Sequence, residues 1–281
     1  MASQVRRLTL EDIGAADSVL QAAYGFSESR RNTLEEMLAL EPEGMFVAED
    51  AGEFAGLVTN VDYGTLGYVG MLGVSPAAQG KGVGRALMDH CLKWFSERGV
   101  PTVLLDATAP GKPLYEKLGF EAQGEAQLWQ YGGGSSKPNT ALGVRLLKSE
   151  DIPLLSQWDA PIFGGERGEV LGHLARAHPK RSFVTSDEKG ELTGFLIARE
   201  RMLGPWCAAS VEVAGRLLNA ALALPFESPP IAIIPSENQV GTALLTERGF
   251  KLKRSCDHMR LGPSVLQQRH KVYGQTSFAL G

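Results

Sequence analysis

The sequence is poor in cysteine and has no long apolar run, and both absences exclude classes of protein. Its three cysteines, Cys91, Cys207 and Cys256, are far apart and show no CxxC spacing. This argues against a disulfide framework and a structural zinc site, and it favours a reducing cytoplasm. No apolar stretch approaches the roughly 20 residues of a membrane span, and residues 1–12 lack the apolar segment of a signal peptide. We therefore expect a cytoplasmic protein without a membrane partner.

An excess of positive charge is also absent. The chain has 28 Lys and Arg against 32 Asp and Glu, which gives a net charge of −4. Because binding to a nucleic-acid backbone needs a basic surface, we expect no nucleic-acid partner. His173 and His178 are five residues apart, off the i, i+4 face that a metal pair uses, so we expect no metal site. The missing Gly-x-Ser-x-Gly motif argues against a hydrolase nucleophile on a strand-to-helix turn.

The chain does contain one order of elements twice. It has 281 residues, enough for about two domains, and a Gly/Ser-rich run at 132–139 divides it near the midpoint. The landmarks in register are a helix start (7–13 and 145–152), a hairpin (45–61 and 182–199) and a Gly-Phe pair (119–120 and 249–250). We predict two α+β units, each a mixed, mostly antiparallel sheet flanked by helices. The domains are placed at 1–131 and 141–281, with a linker at 132–140.

Hydrophobic periodicity and turn residues outline the elements of the first unit. We predict strands at 5–9, 45–50, 54–62, 67–74, 102–107 and 121–131, and helices at 10–24, 30–41, 84–97 and 111–118. The 84–97 helix carries an apolar stripe that includes Leu87 and Cys91, so Cys91 is expected in the core. Thr9 is predicted to cap the first helix, and Ser149 its counterpart in the second unit.

The stretch from Gly67 to Arg85 is the one that predicts chemistry. An apolar strand runs into Gln79-Gly80-Lys81-Gly82-Val83-Gly84 and then into a helix. Spaced glycines let main-chain N–H groups approach a ligand, and the helix N-terminus adds unpaired donors, so the segment favours an anionic group such as a pyrophosphate. It is not a Walker loop, because Gly82 follows Lys81 where Ser or Thr is needed. It is not a dinucleotide fingerprint either, because Arg85 stands at the third glycine position.

These residues resemble the GNAT superfamily of acyl-CoA-dependent N-acyltransferases. The superfamily's pyrophosphate loop reads Gln/Arg-x-x-Gly-x-Gly/Ala, and Gln79, Gly82 and Gly84 occupy those places. A second block, at 106–108, 111 and 114–120, looks like the strand and helix that end many GNAT domains. The resemblance covers residues 1–131 and implies a GNAT fold, acetyl-CoA as co-substrate and no metal. The residues that it implies for acetyl-CoA binding are Leu72, Gly73, Val74, Gln79, Gly80, Lys81, Gly82, Val83, Gly84 and Arg85.

The transfer of an acetyl group to an amine requires two proton transfers. An alkylammonium with a pKa near 10.4 is uncharged in only about one molecule in 2,500 at pH 7, so a base or a water relay must remove its proton. Asp106 is our leading candidate for this base, and Asp62 and Glu49 are alternatives. Tyr115 stands where the family often places the acid that protonates the leaving thiolate. The strand N–H near Leu72 can stabilise the oxyanion.

The second unit resembles the degenerate GNAT-like domain of bacterial tandem proteins. Leu245 stands in place of Tyr115, and 203–211 has a proline and no spaced glycines where the loop would be. We expect this unit to bind no acetyl-CoA in the usual way and to provide a wall of the acceptor pocket. Arg167, Trp206 and Asn238 are either contacts of that pocket or structural residues.

The reading that these observations favour is a two-domain N-acetyltransferase. It would move an acetyl group from acetyl-CoA to a primary amine of a small molecule, directly and through a tetrahedral intermediate. Two alternatives stay open, a protein or peptide N-acetyltransferase and a non-catalytic acyl-CoA-binding regulatory module. The net charge of −4 mildly favours a cationic amine. A monomer and a homodimer are both compatible with the sequence.

Overall fold

The computed structural model describes residues 4–25, 27–133 and 143–281. The elements of the first unit are β1 (Gln4–Arg7), α1 (Ile13–Tyr24), α2 (Arg31–Leu40), β2 (Met45–Asp50), β3 (Glu53–Asp62), β4 (Gly67–Val69), β5 (Gly73–Val74), α3 (Val83–Glu97), β6 (Val103–Ala107), α4 (Lys112–Lys117) and β7 (Glu121–Tyr131). These bounds agree with the sequence prediction to within a few residues, with one exception. The strand expected at 67–74 is interrupted between Val69 and Gly73.

The second unit repeats this order. Its elements are β8 (Val144–Leu146), α5 (Ile152–Phe163), α6 (Gly168–Ala177), β9 (Ser182–Ser186), β10 (Leu192–Ala198), β11 (Leu203–Ala208), α7 (Val211–Leu222), β12 (Ile231–Pro235), α8 (Gln239–Glu247) and β13 (Phe250–Leu261), followed by an added β14 (Val272–Gly274). The prediction of two α+β copies is therefore confirmed. Most of the predicted 132–140 linker lies outside the described residues, which resume at residue 143. Over the described part of the chain, no helix combines the length and apolar composition needed to cross a bilayer.

The start of each unit is held by the same pair of interactions. Asp12 accepts a hydrogen bond from the main-chain N–H of Thr9 at 2.8 Å and pairs with Arg6 at 2.8 Å. In the second unit, Asp151 accepts from the N–H of Lys148 at 2.8 Å and pairs with Arg145 at 2.6 Å. The predicted cap at Thr9 is thus in place. The predicted cap at Ser149 is wrong by one residue. The cap is Lys148, because Asp151 accepts its hydrogen bond from the N–H of the residue three positions before it.

The two units exchange their last strands. The larger sheet runs β1-β2-β3-β4-β6-β13-β7-β12, with β5 also on β3, and the smaller sheet runs β14-β11-β10-β9-β8. β13 of the second unit is antiparallel to β6, with Met259 opposite Leu105. β7 of the first unit is antiparallel to β12, with Leu128 opposite Ile233. Within the described residues, β7 therefore pairs only with strands of the second unit. The domain boundary at residue 131 stays a prediction.

The hydrophobic core continues between the units. One buried cluster combines Leu20 and Leu57 of the first unit with Phe163, Leu171 and Phe195 of the second. On the other face of the first unit's sheet, α3 buries the predicted apolar stripe, including Leu87 and the free thiol of Cys91. Folding of each unit thus depends on apolar surface and on a strand that the other unit supplies.

We expect the two halves to be unable to fold alone. Fragments 1–131 and 141–281, purified separately, should lack a cooperative thermal transition, because each leaves a long strand without its neighbours. The mixed fragments should regain the transition, and the intact chain should melt in one step. Circular dichroism at a series of temperatures measures all three. A cooperative transition in fragment 1–131 alone would contradict this expectation.

Candidate active site

The site begins at residues 70–72, where the predicted strand is interrupted between β4 and β5. Asn60 on β3 is opposite Val69, but Leu57 is opposite Gly73, so the interrupted strand has gained one residue as a β-bulge. The side-chain hydroxyl of Thr59 accepts a hydrogen bond from the N–H of Met71 at 2.9 Å and fixes the bulge. The extra residue changes the direction of the strand in the middle of the sheet.

This change of direction opens the sheet between β5 and β6. β4 pairs with β6, with Val69 opposite Leu105, whereas β5 pairs only with β3. The N–H of Ser75 donates to Ala55 at 2.8 Å, so by alternation Gly73 also bonds to β3, and the N–H groups of Leu72 and Val74 point into the opening. Two of the predicted binding residues therefore present main-chain donors in the opening between β5 and β6.

The carbonyl groups in this opening have partners. The hydroxyl of Tyr24 donates to the oxygen of Leu72 at 2.7 Å, and the amide of Gln79 donates to the oxygen of Val74 at 3.2 Å. Tyr24 comes from α1 and Gln79 from the loop after β5. These contacts hold the carbonyl groups of Leu72 and Val74 and leave the N–H groups of the same two residues able to donate to a ligand.

The glycine loop lies at the end of β5. Gly80 and Gly82 have φ angles of +76° and +86°, which only glycine adopts readily. A Cβ at either position would meet no atom within 4 Å, so the space over the loop is open. α3 begins at Val83, one residue before its predicted start, and directs its first N–H groups to the same space. The predicted residues 79–85 are thus brought together, and the loop fits an anionic group bound by main-chain donors.

The side chains of this loop contribute less than its main chain. Lys81 pairs with Asp50 at 3.4 Å, and Arg85 pairs with Asp89 at 2.9 Å on the outside of α3. Both pairs are exposed to solvent. An anion at this place would therefore be bound chiefly by N–H groups, with Lys81 and Arg85 adding charge only on leaving their present partners.

Tyr115 lies on α4 beside the opening. Its ring is buried edge-on against Phe120, with 5.9 Å between the ring centroids. Burial, together with the neighbouring hydroxyl of Tyr24 and the thiol of Cys91, raises the pKa of Tyr115. Within the described residues, no hydrogen bond occupies its hydroxyl. The predicted acid is therefore protonated at neutral pH and has its proton available.

Asp106 is held inside a buried network instead of facing a pocket. Its side chain is 0% exposed, and its carboxylate accepts hydrogen bonds from Tyr68 at 2.7 Å and Gln275 at 3.2 Å. Nδ1 of His258, which is 2% exposed, lies 2.9 Å from the same carboxylate. Arg269 continues the network, with 3.1 Å between its guanidinium and Nε2 of His258. The exposed part of Asp106 is its main chain, and its assignment as the base stays a prediction.

The other two candidate bases lie elsewhere. Asp62 accepts from the N–H of Gly64 at 2.8 Å and lies 3.4 Å from Arg98. Glu49 pairs with Arg6 at 2.8 Å at the edge formed by β1 and β2. Neither residue lies at the opening, so the structure brings neither of them together with Tyr115.

A pocket of about 440 Å³ adjoins the bulge. The first unit contributes Tyr24, the Gly70-Met71 peptide and the main chain of Asp106. The second unit contributes residues of β12 and β13 and the segment 277–279. Both units thus line this pocket, and its use by the acceptor stays a prediction.

The corresponding opening in the second unit is filled by the chain itself. β14 pairs with β11, with Val272 opposite Cys207, and the N–H of Gln275 donates to Ile233 on β12 at 2.7 Å. After β11, Ser210 caps α7 directly, through a hydrogen bond from Val213, so no glycine loop intervenes. The second unit therefore has neither an open strand edge nor a loop at this place.

The three residues proposed as acceptor contacts in the second unit have structural roles. Arg167 forms a buried ion pair with Asp159 at 2.6 Å. Trp206 is buried against Tyr273, with 5.3 Å between the ring centroids. Asn238 caps α8, and none of the three lines the pocket at the bulge.

Family profiles match both units. The acetyltransferase (GNAT) family matches residues 14–120, and an acetyltransferase (GNAT) domain matches residues 155–274. Together the two matches span most of the chain. The chain belongs to the GNAT acetyltransferase family. It is a tandem GNAT enzyme of the acyltransferase class, and the family generally uses acetyl-CoA as co-substrate.

Relatives support the tandem arrangement. The chain is 28% identical over 225 residues to the uncharacterized N-acetyltransferase YitH of Bacillus subtilis, covering 77% of this chain and 78% of YitH. It is 34% identical over 145 residues to the mycothiol acetyltransferase of Acidothermus cellulolyticus, covering 45% and 44%. The crystal structure of a proposed acetyltransferase from Pyrococcus horikoshii has a TM-score of 0.88 at 25% identity, covering 99% and 96%. A tandem GNAT protein from the clavulanic acid biosynthesis pathway shares the fold, with a TM-score of 0.63 at 16% identity, covering 94% and 100%.

Sequence reasoning missed the residues around Asp106. His258, Arg269 and Gln275 were scattered polar positions in the second half, and no local motif connects them to Asp106. The available signal was weak, because His258 stands by itself between Asp257 and Met259. The exchange of β13 into the first unit's sheet, which the sequence did not predict, is what brings His258 opposite Asp106.

We expect the GNAT chain to bind one acetyl-CoA. Gly82→Val should lower the affinity at least about tenfold. Valine rarely adopts the left-handed φ of this position, and its side chain occupies the space over the loop. Both effects displace main-chain N–H donors that each contribute about 1.5–3 kcal/mol. Gly190→Val is a matched control, since Gly190 has a φ of +83° with nothing within 4 Å but lies in the turn between β9 and β10. Calorimetric titration gives stoichiometry and affinity. Two sites would contradict the filled opening of the second unit.

We also expect His258→Ala to destabilise the fold. It removes one hydrogen-bonding partner of a fully buried carboxylate, which should lower the free energy of unfolding by about 1–3 kcal/mol. Glu97→Gln is the control, because its ion pair with Lys93 is exposed and should change stability by less than about 0.5 kcal/mol. Urea denaturation followed by fluorescence measures both. Equal changes in the free energy of unfolding would mean that the buried network stabilises the fold no more than an exposed ion pair does.

Proposed function

We propose that the chain transfers an acetyl group from acetyl-CoA to a primary amine of a small molecule. The observation that carries this proposal is the interrupted strand. It leaves the N–H groups of Leu72 and Val74 between the glycine loop on one side and the 440 Å³ pocket on the other. A donor approaching from the loop and an acceptor in the pocket would meet at the bulge.

The residues present fit acetyl-CoA. The open space over Gly80 and Gly82 and the start of α3 accommodate the pyrophosphate, which the N–H groups of residues 79–85 would bind. The N–H groups of Leu72 and Val74 would bind the acyl end, while Gly73 between them pairs with Leu57 of β3. When bound, acetyl-CoA supplies an acetyl thioester, an acyl group activated toward an amine.

Tyr115 supplies the acid in this proposal. Burial raises its pKa, so the hydroxyl keeps its proton at neutral pH. Its unoccupied hydroxyl beside the opening can donate that proton to a departing sulfur. Tyr24 is less suited to this role, because its hydroxyl already donates to Leu72.

In this proposal water removes the proton of the amine, and Asp106 does not contact the amine directly. The Asp106 carboxylate has no exposed atom, so it would receive a proton only through the hydroxyl of Tyr68 or the ring of His258. These contacts fix the end of β6 and the segment from residue 275, both of which form the pocket. We therefore propose a positioning role for Asp106 in place of direct contact with the amine.

Two observations favour a small acceptor. The pocket has walls from both units and a volume within the usual range for small ligands. Relatives that match the chain over less than half of their length are mycothiol acetyltransferases, whose name denotes a small-molecule acceptor. A protein acceptor would need an open groove, whereas β13 and residues 277–279 bound this pocket on the side of the second unit. A module that only binds acyl-CoA would have no use for Tyr115.

Tyr115→Phe tests this assignment. The variant should lower kcat about 100-fold while KM for acetyl-CoA stays within about twofold, because only the proton donor is lost. Tyr273→Phe is the control, since Tyr273 is a buried tyrosine of the second unit away from the opening. Release of CoA thiol in the presence of an amine panel gives both constants. Unchanged turnover in Tyr115→Phe would remove Tyr115 as the acid.

A further inference from the structure

Four cationic side chains line the pocket at the bulge. Arg30 comes from the segment before α2, Arg201 from the β10–β11 connection, and Lys253 and Arg254 from β13. Asp106 is the only acidic residue among the described residues of this lining, and its carboxylate is buried in the network. The pocket is therefore positively charged in a chain whose net charge is −4.

A second β-bulge places two of these cations side by side. On β13, Leu252 is opposite Trp129 and Arg254 is opposite Leu128, so Lys253 is an extra residue. Consecutive side chains of a regular strand point to opposite faces, whereas a bulge turns two of them toward one side. Lys253 and Arg254 consequently both line the pocket.

The three cations that the second unit contributes are not paired with acidic residues within the described ranges. Among the residues that the structure describes, no carboxylate pairs with Arg201, Lys253 or Arg254. Elsewhere in the chain, in contrast, Arg6, Arg145 and Arg167 all pair with aspartates at 2.6–2.8 Å.

The guanidinium of Arg254 is restrained by an aromatic ring. Its guanidinium lies over the ring of Phe278, 4.6 Å from the centroid. Stacking of this kind restrains the guanidinium while leaving the N–H groups at its edge free to donate. Phe278 belongs to the segment 277–279 that closes the pocket, so the charge and the wall are positioned together.

We propose that the acceptor amine also carries an anionic group, a carboxylate or a phosphate, which Arg201, Lys253 and Arg254 bind. This inference rests on the proposed function and specifies its substrate class. The anion is distinct from the phosphates of acetyl-CoA, because none of the loop residues 79–85 lines this pocket. Charge-assisted hydrogen bonds from a guanidinium suit both carboxylate and phosphate oxygens.

Matched pairs of probes test the proposal by binding, with CoA at saturation so that the loop is occupied. The phosphate arm compares O-phosphoethanolamine with ethanolamine, and the carboxylate arm compares β-alanine with β-alaninamide. Calorimetry should give at least a tenfold lower Kd for the charged member of one arm. The double variant Lys253→Gln/Arg254→Gln should raise that Kd at least fivefold and leave the uncharged member within twofold.

Lys189→Gln is the control, since Lys189 is an exposed cation in the β9–β10 turn and should leave all four values unchanged. Equal affinities within both pairs, no binding by any probe, or an unaltered preference in the double variant would each overturn the proposal. Failure of CoA itself to bind, with the charge preference intact and lost in the double variant, would leave the anion site standing and reject the acetyltransfer function instead.

Discussion

The exchange of the last strands is the constraint on which the rest of the structure depends. β13 of the second unit lies between β6 and β7, and β7 continues the sheet to β12, so each unit completes the sheet of the other. The apolar faces of both units then meet in one core. The pocket at the bulge depends on this arrangement as well, because β12, β13 and residues 277–279 form its far wall. A single unit would have an open strand edge where the pair has a bounded site.

The same interruption of a sheet has opposite outcomes in the two units. Main-chain N–H groups at an opening must find partners, either from the protein or from a ligand. In the second unit, β14 enters beside β11 and Gln275 bonds to Ile233, so the chain itself supplies the partners. In the first unit, the groups at Leu72 and Val74 face open space, and the glycine loop lies next to them. The first unit thus has an open strand edge beside a glycine loop, while the second unit fills the same place and anchors the segment that reaches the pocket.

Local patterns predicted much of this molecule, because helix stripes, glycine turns and the aspartate caps depend on nearby residues. The loop at 79–85 and the position of Tyr115 could be predicted for the same reason. The interruption at 70–72 could not, because a bulge depends on strand register and not on residue type. Strand exchange was also hidden, since the pattern at 121–131 predicts a strand without indicating which strand it pairs with. The environment of Asp106 followed from that exchange: His258 and Gln275 lie more than a hundred residues away along the chain and become its partners only when β13 pairs with β6.

The net charge of the chain and the local charge of the pocket favour different acceptors, and the reason is a matter of distance. A charge of −4 spread over the whole surface favours a cationic amine only weakly, because salt screens charges beyond about 8–10 Å. The cations on β13 and at Arg201 line the pocket itself, so they lie close to any acceptor bound there. A positive wall disfavours the ammonium form of a bound amine and so lowers its pKa. Under the proposed function, the same side chains that hold an anionic group would thereby help the amine lose its proton. An exposed carboxylate base is then unnecessary, which is consistent with an Asp106 that is buried and fully hydrogen-bonded.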